Sequence, residues 1–149
     1  MKKFVFKLAK VKSFKEQTLE VKKGEMLNLQ QKLSEIENRI KMLNNQYSET
    51  NKQMLEKMED GISPGDISSY KTFLGDLDIK IRRSVTEKRR MLELIELKRL
   101  EIVEVNSEIS GLERLRDKQY AEYLKETAKE QETAIEEFVS QGHGNMQSL

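Results

Sequence analysis

The chain has 149 residues, of which 36% are hydrophobic and 36% charged, and its formal net charge is +1. This near-neutral charge provides no overall field toward nucleic acid or an anionic membrane, and the absence of cysteine excludes disulfides, thiol chemistry and cysteine-ligated zinc. Glu, Lys and Leu are the most frequent residues, tryptophan is absent and proline occurs once, a composition typical of long helices and coiled coils.

The first segment, MKKFVFKLAKV, places two lysines before Phe-Val-Phe, as a secretory signal would. However, Lys7 and Lys10 interrupt the apolar run, and no small-residue cleavage site follows. Phe4, Leu8 and Val11 instead have the i, i+4, i+7 spacing of one helical face. The segment therefore predicts the start of an amphipathic helix that stays on the mature protein.

Apolar residues in the first half recur in alternating steps of three and four, the spacing of a heptad repeat. This first seam comprises Met26, Leu29, Leu33, Ile36, Ile40, Leu43 and Tyr47, and is continued by Met54 and Met58. Upstream, Lys15 and Lys22 fall near seam positions, so we expect weaker packing there. The pattern predicts a helix over about residues 4–59.

The heptad pattern stops at EDGISPGDISSY, which contains the strongest turn signals in the chain. Ser63 suits a helix N-cap, Pro64 suits the first helical position, and Asp66 follows the cap by three residues. The sequence therefore predicts a short turn at residues 60–65 and a second helix that begins at about residue 64.

A second seam keeps the three-four alternation from Ile67 to Tyr123 without a break, and 12 of its 17 positions are apolar. The exceptions are Ser84, Lys88, Lys98, Arg116 and Gln119. We expect looser packing around residues 84–88 and 116–119. The pattern predicts helix over about residues 64–138, followed by a disordered tail at 139–149.

A short connection makes two successive helices antiparallel neighbours. The predicted fold is therefore all-α: a single long two-helix antiparallel coiled-coil hairpin over residues 1–138, with a frayed or disordered C-terminal tail. Facing residues should have numbers that add up to about 126, which sets Phe4, Phe6 and Leu8 beside Tyr120, Tyr123 and Leu124. The same register is expected to bring the six lysines of residues 2–15 toward the six glutamates of residues 122–137.

No arrangement of residues indicates catalysis. His143, the only histidine, lies between two glycines without partners for metal binding or base catalysis. The many carboxylates lie on a predicted two-stranded rod that offers no cleft, and the scattered glycines do not resemble a phosphate-binding loop. We therefore expect no enzymatic activity, no catalytic residue, no cofactor and no metal.

Two surfaces are candidates for contacts. Basic residues cluster in the second helix and suit either a solvated face or contact with an acidic protein or nucleic acid; they are Lys80, Arg82, Arg83, Lys88, Arg89 and Arg90. Aromatic residues crowd the predicted loop end, where Tyr47, Tyr70 and Phe73 suit either a cap on the core or a contact site.

Two separated stretches of the chain carry recognisable motifs. The first is FVFKLAKVKSFKE, with its aromatic-x-aromatic-x-Leu-x-x-Val start, and the second is LERLRDKQYAEYLKETAKEQETAIEEF at residues 112–138. Both stretches resemble the FliJ family of flagellar export proteins. The turn region followed by Tyr70 and Phe73-Leu74 is also similar. Together these matches span the whole chain in the order expected of the family.

The resemblance implies a non-enzymatic component of the flagellar type III export apparatus, similar to the central stalk of rotary ATPases. Its implied partners are the hexameric export ATPase FliI, the export-gate protein FlhA and export chaperones, without nucleic acid. The implied location is the cytoplasm, in peripheral association with the inner face of the membrane at the flagellar base.

By analogy with rotary stalks, the terminal end would face the ATPase and the loop-proximal half would face the gate. The expected ATPase-facing residues are Phe4, Phe6, Leu8, Val11, Tyr120 and Tyr123. The expected gate-facing residues are Tyr47, Tyr70, Phe73, Leu74 and Leu77. Two alternatives remain open at this stage: an injectisome-type secretion stalk, and a helical arm that binds nucleic acid through residues 82–90 with steep salt dependence.

Overall fold

The structure, a computed structural model, describes the backbone of residues 2–147 and the side chains of residues 2–142. Over this part of the chain there are two helices, α1 (Ala9–Asp60) and α2 (Pro64–Gln147), and no strand. The helices form an antiparallel hairpin, so the predicted fold class is confirmed. The hairpin comprises two compact units: a terminal unit of residues 1–19 and 104–149, and a loop unit of residues 20–103.

The turn between the helices has the predicted chemistry. Gly61 adopts a φ of 87°, a left-handed conformation that glycine reaches without a Cβ penalty, directly after α1 ends at Asp60. The Asp66 amide donates to the Ser63 hydroxyl at 3.2 Å, so Ser63 caps α2 with Pro64 as its first residue. Asp66 also provides a negative charge in the first turn, where the helix dipole favours it.

In the loop unit, apolar seam residues of both helices form the core. Ile36, Met54, Leu74 and Leu77 are buried there. The register can be read from cross-helix ion pairs, because Arg39 pairs with Glu87 and Lys98 pairs with Glu25. The paired numbers add up to 126 and 123, which agrees with the predicted value of about 126.

In the terminal unit, Phe6, Leu19, Val105 and Ile109 are buried. The second seam is confirmed along almost its whole length, since its positions from Ile67 to Tyr123 are buried or half-buried apart from Arg116. Arg116 is exposed and the preceding Leu115 is half-buried. The seam therefore shifts by one residue where the sequence predicted looser packing.

The start of α1 differs from the prediction. The helix begins at Ala9, not near residue 4, and residues 2–6 are not helical. Phe6 is buried whereas Val5 is 73% exposed, an alternation typical of extended chain, in which successive side chains point to opposite sides. Aromatic and β-branched residues are weaker helix formers than Leu or Ala, which favours this arrangement of Phe-Val-Phe.

This change of backbone also moves the residues of the predicted first stripe. Leu8 and Val11 were expected to join Phe4 on a buried helical face, but both are exposed. Only Phe4, which is half-buried, and Phe6 turn toward α2.

The lysines near the first seam pack through their stems. Lys15 and Lys22 are half-buried, and their ammonium groups pair with Glu108 and Glu101 of α2. Lys12 likewise approaches Glu113 at 3.7 Å. Long basic side chains can thus cover apolar surface while their charges reach the hairpin's edge.

The predicted pairing of residues 2–15 with the glutamates of 122–137 is wrong. Among the residues whose side chains are described, no ion pair joins these segments; Lys12 and Lys15 pair with Glu113 and Glu108 instead. The register explains this outcome, because Lys2 already lies level with Tyr123, and the later glutamates extend past it.

Helix α2 extends further than predicted. It continues to Gln147 rather than ending near residue 138, and no proline intervenes to stop it. Residues 148–149 of the expected tail lie outside the described part. The side chain of His143 also lies outside it. Every residue from 128 to 142 is exposed, so no part of the described chain covers this stretch of α2.

Candidate interaction surfaces

An aromatic cluster fastens the N-terminal segment to α2 in the terminal unit. The Phe4 ring lies 5.2 Å from Tyr120 in an edge-to-face arrangement and 5.6 Å from Tyr123, between ring centroids. The Tyr123 hydroxyl donates to the Lys2 carbonyl at 2.6 Å. Such aromatic pairs contribute about 0.5–1.5 kcal/mol beyond area burial. We call Phe4, Phe6, Tyr120 and Tyr123 the terminal clasp; the predicted contact between them is confirmed for Phe4.

The residues expected to face the ATPase divide into two groups by burial. Phe6 is only 8% exposed and Phe4 and Tyr123 are half-buried, so these side chains build the clasp. Leu8, Val11 and Tyr120 are exposed and remain accessible to a partner. Phe6 is therefore less accessible than the other residues expected to face the ATPase.

Arg116 adds a cation to the clasp. Its guanidinium carbon lies 5.7 Å from the Phe4 ring centroid, within the range of a cation–π contact. Arg116 is one of the polar exceptions in the second seam, and its contact with Phe4 was not predicted from the sequence. The signal was available, since the predicted register sets residue 116 near the aromatic N-terminal segment.

The loop unit contains a shallow groove between the helices near the turn, which we call the loop groove. It is lined by Thr50, Gln53, Lys57, Asp66, Ser69, Tyr70 and Phe73. The Lys57 ammonium lies 5.4 Å from the Tyr70 ring centroid. The pKa of Lys57 is raised, and its hydrogen bond with the Tyr70 side chain is the largest cause. The charge of Asp66 raises it further by a smaller amount.

The residues expected to face the gate do not all reach this surface. Leu74 and Leu77 are 6% and 3% exposed, so they belong to the hairpin core. Phe73 is 46% exposed, Tyr47 is exposed and Tyr70 is half-buried. The sequence prediction missed the polar side of the groove, although the register sets Lys57 opposite Tyr70.

A network of ion pairs holds the register at the end of the loop unit that lies farthest from the turn. Lys98, a seam residue, approaches Glu25 at 2.5 Å and Glu101 at 2.9 Å, and Lys22 also reaches Glu101. Hydrogen bonds to Glu25 and then Glu101 raise the pKa of Lys98, and hydrogen bonds from Lys98 and then Lys22 lower the pKa of Glu101. The network explains how a lysine occupies the seam.

The predicted basic patch has mixed surroundings. Arg82 pairs with Asp78 on its own helix at 3.1 Å, and Lys88 is half-buried in the seam. Arg89 is exposed, while Arg83 and Arg90 are exposed beside grooves that also contain Glu87. This arrangement breaks the patch into separate cations rather than a continuous basic track.

The described residues contain neither a candidate metal site nor a candidate membrane-spanning helix. No group of three or more His, Cys, Asp or Glu side chains is arranged to hold a metal ion. No helix in this part of the chain is long and apolar enough to cross a membrane.

Together these features define a two-helix coiled-coil hairpin. The sequence matches the family model described as flagellar FliJ protein over residues 3–148, so the chain belongs to the FliJ family. It is therefore a component of flagellar protein export. The FliJ family is not a known family of enzymes. No curated protein and no solved structure matches the chain.

Proposed function

We propose that this protein is a non-enzymatic, central-stalk-like element that links the export ATPase ring, formed by FliI, to the export gate, formed by FlhA. One observation carries this proposal: each of the two units has its own accessible aromatic surface. A connector requires two such surfaces, whereas a protein with one partner requires one.

The terminal unit is the proposed ATPase-facing part. Leu8, Val11 and Tyr120 are exposed beside the terminal clasp, and the neighbouring lysines supply positive charge. An apolar surface with a basic border suits acidic loops inside a ring. The clasp residues Phe4, Phe6 and Tyr123 stabilise the conformation of this surface.

The loop unit is the proposed gate-facing part. Phe73 and Tyr47 offer exposed aromatic rings, and Tyr70 and Lys57 form the wall of the loop groove. Aromatic residues at the centre of a contact dominate many protein interfaces. Leu74 and Leu77 hold Phe73 in position from the core.

The proposed location is the cytoplasm at the flagellar base, where the protein reaches the membrane only through its partners. In this role it also assists export chaperones with flagellar substrates. The family match favours this function over the injectisome alternative. The mixed charge around Arg83 and Arg90 disfavours the alternative of a helical arm that binds nucleic acid.

The test separates the two surfaces with two variants. Leu8→Ala with Val11→Ala is expected to reduce stimulation of purified export ATPase at least about tenfold while leaving gate binding intact. Phe73→Ala is expected to reduce binding to the purified cytoplasmic domain of the gate, and motility, while sparing ATPase stimulation.

Leu27→Ala provides a matched control, because Leu27 is another exposed apolar residue of the loop unit. It should change neither readout. Full ATPase stimulation by the terminal variant would show that this surface does not face the ring. Unchanged gate binding by Phe73→Ala would remove the loop groove from the proposal.

A further inference from the structure

The uncovered stretch of α2 carries an apolar stripe. Leu124, Ala128, Ile135 and Phe138 recur at intervals that place them on one face of a helix. Ile135 is 64% and Phe138 77% exposed, and the described chain provides nothing that packs against them. Exposed apolar residues that share one helical face in this setting indicate a docking surface.

The charge on this stretch identifies the kind of surface that it fits. Residues 122–137 contain six glutamates and two lysines, a net charge of −4. None of these glutamates forms an ion pair in the described structure. The occupant should therefore combine exposed apolar side chains with positive charge.

Such a surface lies on the chain itself, at residues 2–14 of the terminal unit. Val11 and Phe14 are exposed there. Lysines accompany them without any acidic residue, and four have no ion-pair partner among the described residues: Lys2, Lys3, Lys7 and Lys10.

The two surfaces cannot meet within one chain. Lys12 lies beside Glu113, so Val11 is level with this part of α2. Ile135 is 22 residues further along the helix, roughly 33 Å at 1.5 Å per residue. Any contact between the surfaces must therefore join two molecules.

The spacing of the two surfaces also matches. Val11 and Phe14 are three residues apart, as are Ile135 and Phe138. A parallel alignment that sets Val11 against Ile135 also sets Phe14 against Phe138. The same alignment sets Lys2 near Glu126 and Lys12 near Glu136, so apolar and charged positions agree in one register.

We propose that the protein forms a twofold symmetric dimer in which residues 124–139 of each copy lie along residues 2–15 of the other. The twofold axis makes the two contacts equivalent and uses both surfaces of each copy, so the assembly closes at two molecules. The two α2 helices then cross antiparallel near Leu124, which is exposed. This inference is independent of the proposed function.

Sedimentation of the full-length chain tests the dimer. The mass should double as concentration rises into the range of tens of micromolar, and added salt should weaken association because opposite charges contribute to it. The variant Ile135→Asn with Phe138→Asn should weaken dimerisation at least about tenfold. Leu27→Asn, the matched control at another exposed apolar site, should leave it unchanged.

Charge reversal makes the test specific to these surfaces. Lys7→Glu with Lys10→Glu should abolish self-association, and so should Glu132→Lys with Glu136→Lys. An equimolar mixture of the two variants should form a heterodimer, because both contacts then join opposite charges. Circular dichroism checks that each variant keeps its helical content.

Three results would overturn the proposal. The first is a monomer at about 100 μM and low salt, where even a weak dimer should be visible. The second is a dimer that tolerates the Ile135 and Phe138 changes as well as it tolerates Leu27→Asn. The third is two charge-reversed variants that remain monomeric when mixed.

Discussion

Individual lysines illustrate how a polar residue can occupy a coiled-coil seam. Lys15, Lys22 and Lys98 lie at or near seam positions, yet each directs its ammonium group to a glutamate on the other helix. Exposed pairs of this kind contribute about 0–1 kcal/mol each, so they do not replace apolar packing. These ion pairs instead help to fix the alignment of the two helices, because a shift of one helix along the other would separate every pair.

Apolar packing should therefore dominate stability at the residue scale. Ile109 is 8% exposed in the terminal unit, and Ile109→Ala should lower the free energy of unfolding by about 2–4 kcal/mol through lost burial and a cavity. Chemical denaturation followed by circular dichroism measures this change. Glu104→Ala, an exposed change on the same helix, should cost less than about 0.5 kcal/mol. Equal effects from both would contradict the burial of Ile109.

At the scale of elements, the turn fixes where α2 begins. The Ser63 hydroxyl accepts a hydrogen bond from the Asp66 amide at 3.2 Å, in addition to the Ser63 carbonyl at 3.1 Å, and thereby caps the first turn. Ser63→Ala should therefore lower the free energy of unfolding by about 0.5–2 kcal/mol, measured in the same way. Ser63→Asp should retain most of the stability because aspartate is also a good cap. If alanine is as stable as serine, the cap does not contribute.

The helices and their register were predictable from sequence because they follow from spacing. The steps of three and four across Ile67–Tyr123 identify the buried face, and the Ser63-Pro64 signal locates the turn. Once the turn is known, equal rise per residue sets the partners. This register also indicated the confirmed contact of Phe4 with Tyr120 and Tyr123, although Phe4 precedes α1 and reaches α2 from a segment that is not helical.

The features that were not predicted occur where the same residues fit more than one structural pattern. Phe4, Leu8 and Val11 fit a helix, but Phe4 and Phe6 also fit the alternation of an extended chain, and the structure has the second pattern. Burial of Leu74 and Leu77 was contained in the heptad spacing, yet the prediction of a contact site overlooked it. The charge pairing failed because total charge was compared without position along the register.

At the scale of the whole molecule, the proposed dimer and the proposed ATPase contact use the same residues. Val11 belongs to both surfaces, so a molecule in the dimer would not offer that face to the ring. If both proposals hold, the two states exclude each other, and rising protein concentration should reduce ATPase stimulation per molecule. The gate-facing loop groove would be unaffected.

The last prediction concerns how independently the two units open. Deletion of residues 1–8 removes Phe4 and Phe6, whose burial contributes about 1.5–3 kcal/mol per side chain. Amide hydrogen exchange should then accelerate roughly 10- to 100-fold in residues 104–127, because this part of α2 belongs to the unit that loses Phe4 and Phe6. Residues 70–84 should keep their protection, because Leu74, Leu77 and Ser84 are buried within the loop unit. Val5→Ala, a change at an exposed position of the deleted segment, should leave exchange unchanged in both units. Equal acceleration in residues 70–84 and 104–127 would mean that the hairpin opens as one cooperative structure.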